Sequence, residues 1–150
     1  MNKIFKTIKG EKVNVVEHTL EILRKNPNIK IHIGTDSQNS GVYTTYSVVI
    51  AYRMGTRGVH YITAIQRYTK IIDMWSRLWK EAELSIETAE WLTQQINVRV
   101  ELDMDYNSDE RYKSNNVVAA ATGWANSLGY KVNTKPETLI ATKAADHNCR

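Results

Sequence analysis

Between Ile29 and Asp36 apolar and polar positions alternate. Ile29, Ile31, Ile33 and Thr35 share one face, and Lys30, His32, Gly34 and Asp36 the other, which predicts a strand. Ser37 to Gly41 is polar and predicts a turn. Two further β-rich runs, Val42 to Arg53 and Val59 to Tyr68, flank Met54-Gly55-Thr56-Arg57-Gly58, a glycine-bounded gap that predicts a hairpin. From Met74 to Gln95 the period changes. Leu78, Ala82, Ser85, Ala89 and Leu92 trace one stripe, with Lys80, Glu83, Glu87 and Glu90 largely opposite, which predicts a long amphipathic helix. Val98 to Met104 alternates again as a strand, and Ser114 to Leu128 is a small-residue helix closed by Gly129. Tyr130 to Asn133 makes a short strand, and Pro136 opens a last helix running to about Asp146. At the start, Val13, Val16, Leu20 and Leu23 recur at helical spacing until Asn26-Pro27-Asn28 stops the run.

This order implies the α/β class: three antiparallel strands, then two crossover units, in a mixed five-stranded sheet flanked by helices. The 150 residues suit a single domain, with an N-terminal basic arm and helix over 1–28 and a core over 29–146.

Composition narrows the picture. Hydrophobic content of 42% and charged content of 24% are ordinary for a soluble globular protein. No apolar run is long enough to span a membrane, and none follows Met1 to Lys6 as a secretory signal would, so the cytoplasm is expected and no membrane partner. Cys149 is the single cysteine and cannot form an internal disulfide, and with His147 it supplies too few ligands to read as a zinc site. The net charge of +4 is compatible with a polyanionic partner. Lys3, Lys6, Lys9, Lys12, Arg24 and Lys25 make the first segment basic, either as a solvated face or as a phosphate-contacting patch.

The informative acids are those on apolar elements. Asp36 ends the isoleucine-rich strand beside Ser37 and Gln38, and Asp103 lies near the end of Val98 to Met104. If those strands are parallel neighbours, both acids reach one edge of the sheet, where ligands of open α/β sheets collect. On the long helix, Glu83, Glu87 and Glu90 form the polar face. Glu81 is followed by Leu84, Ser85, Ala89 and Leu92 at helical spacing, which turns it towards the sheet. Asp146 ends a helix of small residues and reads either as a fourth member or as a plain surface acid. Converging carboxylates repel unless cations or protons neutralise them. Oxygen ligands without a Cys/His cluster favour Mg²⁺ or Mn²⁺, and two such ions suit phosphodiester hydrolysis.

Ile33-Gly34-Thr35-Asp36-Ser37-Gln38 resembles the first-strand signature of the ribonuclease H-like YkuK family. Leu102-Asp103 followed by Tyr112-Lys113-Ser114-Asn115, and Lys135-Pro136 followed by Ala144-Ala145-Asp146, extend the resemblance over roughly residues 29–146. It implies a ribonuclease H-like fold in which acids from the first strand, first crossover helix, fourth strand and last helix converge: here Asp36, Glu81, Asp103 and Asp146. Asp105 follows Asp103 at strand periodicity, where the family more often carries Asn. The third ligand is therefore Asp103 or Asp105, with Asp103 the better match. No separate basic insertion suited to RNA–DNA hybrids is apparent.

Lys113 and Asn115 sit where a strand passes into a helix and are expected either to hold a phosphate or, with Ser114, to cap the helix. Ser37 and Gln38 are the other expected nucleic-acid contacts. Tyr43, Tyr46, Trp75, Trp79 and Trp124 read as core or interface aromatics, with base stacking open to any that are exposed. The expected function is thus a nuclease using two Mg²⁺ or Mn²⁺ ions on RNA, hybrid or structured DNA. The alternative is a nucleic-acid-binding or assembly module that keeps the fold without turnover. An ATP-handling protein is disfavoured because no glycine-rich nucleotide loop is present.

Overall fold

Three strands of eleven residues each form the centre of the molecule: β3 (Lys30–Ser40), β4 (Tyr43–Arg53) and β5 (Val59–Thr69). The structure is a computed structural model that describes residues 1–55, 58–104 and 111–134, with the backbone alone for 111–115. β3 to β4 and β4 to β5 pair antiparallel along their full length. Thr44 and the run from Tyr46 to Tyr52 are buried, because β4 lies between two neighbours and both its faces are covered. That explains an apolar run where an edge strand would alternate.

Around this centre lie β1 (Phe5–Lys6), β2 (Lys12–Val13), α1 (Val15–Lys25), α2 (Met74–Gln95), β6 (Val100–Asp103), α3 (Arg111–Ser127) and β7 (Lys131–Asn133). The seven described strands form one sheet in the order β2-β1-β5-β4-β3-β6-β7. β6 runs parallel to β3, and β7 parallel to β6. The expected mixed sheet is present, but it carries two strands more than the five expected.

The extra pair is the N-terminal hairpin, in the stretch expected to be an arm. Phe5 pairs with Val13, Lys6 pairs with Thr63 of β5, and Gly10 takes the positive φ of 85° that the intervening turn requires. Phe5 is almost fully buried, which anchors a strand too short to show periodicity. α1 is also shifted from the expected stripe. Val13 belongs to β2, Asn14 caps the helix by accepting from the Glu17 N–H at 3.1 Å, and Val15 and Thr19 point inwards while Leu20 is exposed. Thr19 is tolerated in the core because its hydroxyl meets the Tyr52 hydroxyl at 2.7 Å. Beside it, His18 Nε2 lies 2.8 Å from His60 Nε2 and ties α1 to β5.

α2 matches its sequence closely. Asp73 caps it, and Leu78, Ala82, Ser85, Ala89 and Leu92 are all buried. Leu84, Ile86 and Thr88 are buried too, since α3 packs along the helix in addition to the sheet. α3 contributes Val117, Ala121 and Ala125, small residues that allow close approach. It begins at Arg111, before the expected Ser114, so Ser114 and Asn115 are helical residues and do not cap it. The expected last helix, Pro136 to Asp146, lies outside the described residues. No described helix is long and apolar enough to cross a membrane.

Candidate active site

β3 is longer than its alternation suggested. Ser37 to Ser40 continue the strand against Tyr43 to Tyr46, and the turn falls at Gly41, whose φ of +60° suits glycine. β6 stops at Asp103, opposite Gly34. From Thr35 to Ser40 that edge of β3 therefore lies beyond the end of its pairing with β6. This is where an open sheet presents side chains to a ligand.

Strand alternation sends neighbouring residues of β3 to opposite faces of the sheet. Thr35 and Ser37 face α2. The Thr35 hydroxyl meets the Ser85 hydroxyl at 2.7 Å, and the Ser37 hydroxyl donates to Glu81 Oε2. Glu81 is only 6% exposed and turned to the sheet as expected, whereas Glu83 is half-buried near Lys80. Asp36 and the exposed Gln38 lie on the other face, with His32, Gly34 and Asp103. Asp36 is two residues past the Gly34–Asp103 pair, which puts its Cα roughly 8 Å from that of Asp103 by strand rise and spacing.

Asp103 is 1% exposed and held on two sides. Its Oδ1 accepts from Asn133 Nδ2 at 3.0 Å and lies 3.0 Å from His32 Nδ1. With Asp103 ionised, His32 Nδ1 carries the proton of that bond. His32 Nε2 is buried and has no hydrogen-bond partner among the described residues. Asn133 Nδ2 also donates to Glu101 Oε1 at 3.0 Å, and Lys131 approaches the same carboxylate at 3.7 Å. Burial raises the Glu101 pKa, but the Asn133 bond and the charges of His32, Lys131 and Lys30 outweigh it and hold the group below its ordinary value.

Of the four expected acids, three fall within the described residues. Asp36 and Asp103 share a face of the sheet near the end of β6, and Glu81 lies on the opposite side of β3, bonded to Ser37. Asp146 and the rival Asp105 lie outside the described residues. Among the described residues no three His, Cys, Asp or Glu side chains converge closely enough to hold a metal ion. The donor chemistry nevertheless suits a hard divalent cation: Glu81 and Asp103 are carboxylates buried at a rate found almost only for paired or ligating groups. Lys113 stands in the first turn of α3, where backbone N–H groups have no partners within the helix, and Asn115 follows just inside.

His32 and Asn133 are the residues that sequence reasoning missed. His32 alternates in phase with Asp36, which was the available signal for a shared face. Asn133 carried none, since its role comes only from its register against Asp103. Compared with known families, residues 14–150 match the one described as Ribonuclease H-like. That span begins where the N-terminal hairpin ends. No curated protein matches the chain.

Proposed function

Because the chain belongs to the ribonuclease H-like family, we propose that it is a metal-dependent nuclease hydrolysing phosphodiester bonds in RNA or structured nucleic acid. The observation that carries this reading is the β3–β6 register. It sets Asp36 and Asp103 on one face of β3 near the end of β6, while Glu81 of α2 bonds Ser37 on the other face.

Asp36, Glu81 and Asp103, with Asp146, are the residues that would hold Mg²⁺ or Mn²⁺. Two such ions, when bound, supply an activated water and stabilise the leaving oxygen. The chain's own side chains have separable parts in this scheme. Asp36 lies two residues beyond the last β3–β6 pair and is assigned the position nearest the scissile phosphate. His32 and Asn133 fix the orientation of the Asp103 carboxylate, as partners of ligating groups generally do. Ser37 does the same for Glu81. Gln38, Lys113 and Asn115 are the residues assigned to contact the nucleic-acid backbone, as strand-end and helix-start polar groups can. Asp103 is preferred to Asp105 as the third acid because its burial and two hydrogen-bonding neighbours are those of a positioned group.

Labelled single-stranded RNA, RNA–DNA hybrid, duplex DNA and a four-way junction, each incubated with Mn²⁺ or with EDTA, test the proposal. Cutting of at least one substrate with Mn²⁺, absent in EDTA and in Asp36→Asn, is the expected result. Tight binding of a substrate without cutting under any condition would replace the nuclease reading with a non-catalytic binding module.

A further inference from the structure

Three indole rings form a continuous stack on the helical side of the molecule. Trp75 and Trp79, one turn apart on α2, lie 5.4 Å between centroids and 16° from parallel, and Trp79 stacks on Trp124 of α3 at 5.4 Å and 19°. The inner pair bridges two helices and is explained by packing. Trp75 is not. It ends the stack with 41% of its surface exposed, and none of the described rings other than Trp79 stacks on it.

Further apolar residues near this end of α2 and of the sheet are exposed. Ile72 is 84% exposed one residue before the α2 cap, and Val42 and Tyr43 are exposed at the start of β4. The Lys70 N–H bonds the Val42 carbonyl at 2.9 Å and Tyr43 pairs with Thr69, so these residues belong to one end of the sheet. The same end is reached along β3 from Asp36, about 13 Å away at the strand rise over four residues. The basic groups at this end are Lys70 and Lys80. Lys70 is exposed, and Lys80, 3.9 Å from Glu83, is held 4.8 Å over the Tyr68 ring. The nearby Asp73 carboxylate is engaged by the Ser76 N–H and hydroxyl as the helix cap.

We infer that Trp75 is a stacking platform for an unpaired base of a single-stranded nucleic acid. A flat π face continuing an existing stack fits any nucleobase, and stacking of this kind tolerates sequence. A base inside a duplex has both faces covered and cannot use it. The inference rests on the nuclease reading for the class of ligand and refines it to a single-stranded segment.

Binding in EDTA, where no cutting occurs, keeps this idea separate from the catalytic one. Fluorescein-labelled oligo(dT), oligo(U) and a duplex of equal length are titrated with wild type, Trp75→Ala and Trp75→Phe. Anisotropy reads affinity, tryptophan quenching reads stacking, and light scattering reads mass. The expected result is quenching by the single strands but not by the duplex, affinity roughly tenfold weaker in Trp75→Ala, and partial recovery in Trp75→Phe. Should Trp75→Ala not fold, Trp75→Leu keeps the apolar bulk without the π face and carries the same comparison. Unchanged single-strand affinity in the variants would overturn the inference, as would equal quenching by the duplex. A dimer that Trp75→Ala splits without loss of affinity would also overturn it, assigning the patch to self-association. Absent cutting with intact single-strand binding would count against the nuclease reading alone.

Discussion

Asn133 makes the sharpest prediction, because one amide nitrogen donates to two carboxylates, Asp103 at 3.0 Å and Glu101 at 3.0 Å. Asn133→Ala removes both bonds. A hydrogen bond to a charged group contributes roughly 1.5–3 kcal/mol, and the Asp103 end is fully buried, so that bond counts in full. The Glu101 end is partly open and already near Lys131, so water recovers a good part of it. The expected loss is about 2–4 kcal/mol, or roughly 5–15 °C in Tm for a domain of this size. Asn133→Asp keeps the shape but places a third carboxyl against the other two, so it should be less stable than Asn133→Ala at pH 7. Repulsion raises the pKa of the introduced carboxyl in the folded state above its unfolded value. The penalty is thus present at neutral pH and falls away as pH drops through the raised value. Urea unfolding followed by circular dichroism at pH 7 and pH 5.5, each variant against wild type at the same pH, reads both effects. A loss under 0.5 kcal/mol in Asn133→Ala, or a gap between Asn133→Asp and wild type that fails to narrow with acid, would refute the network.

Three other outcomes follow from the core. Burial, reinforced for His18 by the neighbouring His60, lowers the pKa of both imidazoles from 6.5, so the unfolded chain takes up protons first. Stability should therefore be full above pH 6.5 and fall as pH drops below it, and a urea midpoint rising on acidification would contradict the pairing. Thr19→Val strands the buried Tyr52 hydroxyl, whose pKa burial has pushed up to about 12 against the opposing Thr19 bond, and should cost about 1–3 kcal/mol. A double cycle with Tyr52→Phe should show the two changes to be coupled, and simple additivity would argue against the bond. Leu92→Ala, at a fully buried position of α2, should cost about 2–5 kcal/mol in chemical denaturation, and a value near zero would mean that the helix is not seated as described.

How much of this was legible beforehand depended on the length of each pattern. α2 repeats its stripe over six turns, and all five expected inward residues are buried. β4 and β5 were bounded by turns that glycine makes recognisable. The N-terminal hairpin was hidden because strands of two residues have no period to detect, and because Val13 falls in phase with a helix to which it does not belong. Polar Ser37 to Ser40 looked like a turn. Their polarity instead serves side-chain bonds, with Asn39 accepting from the Thr44 hydroxyl and donating to the Ile71 carbonyl.

The site divides along the same line. Asp36, Glu81 and Asp103 were recognisable as carboxylates on elements that bury apolar residues. That Asp36 and Glu81 approach from opposite faces of β3 was not recognisable, because it needs the side-chain direction of Ser37 as well as the helical face of Glu81. The hold on Asp103 by His32 and Asn133 arises from two registers, Gly34 against Asp103 and Asp103 against Asn133, and no single segment encodes it.

Whether acids on two faces of one strand serve one metal centre is the claim on which the proposed chemistry turns. Mn²⁺ titration followed by electron paramagnetic resonance, on wild type, Asp36→Asn, Glu81→Gln and Asp103→Asn, addresses it directly. Circular dichroism run alongside confirms that each variant is folded. The account predicts saturable Mn²⁺ binding in the wild type, weakened at least tenfold in each of the three variants. Wild-type affinity in Glu81→Gln would place Glu81 outside the metal centre, and no saturable binding in the wild type would contradict the metal-dependent mechanism as a whole.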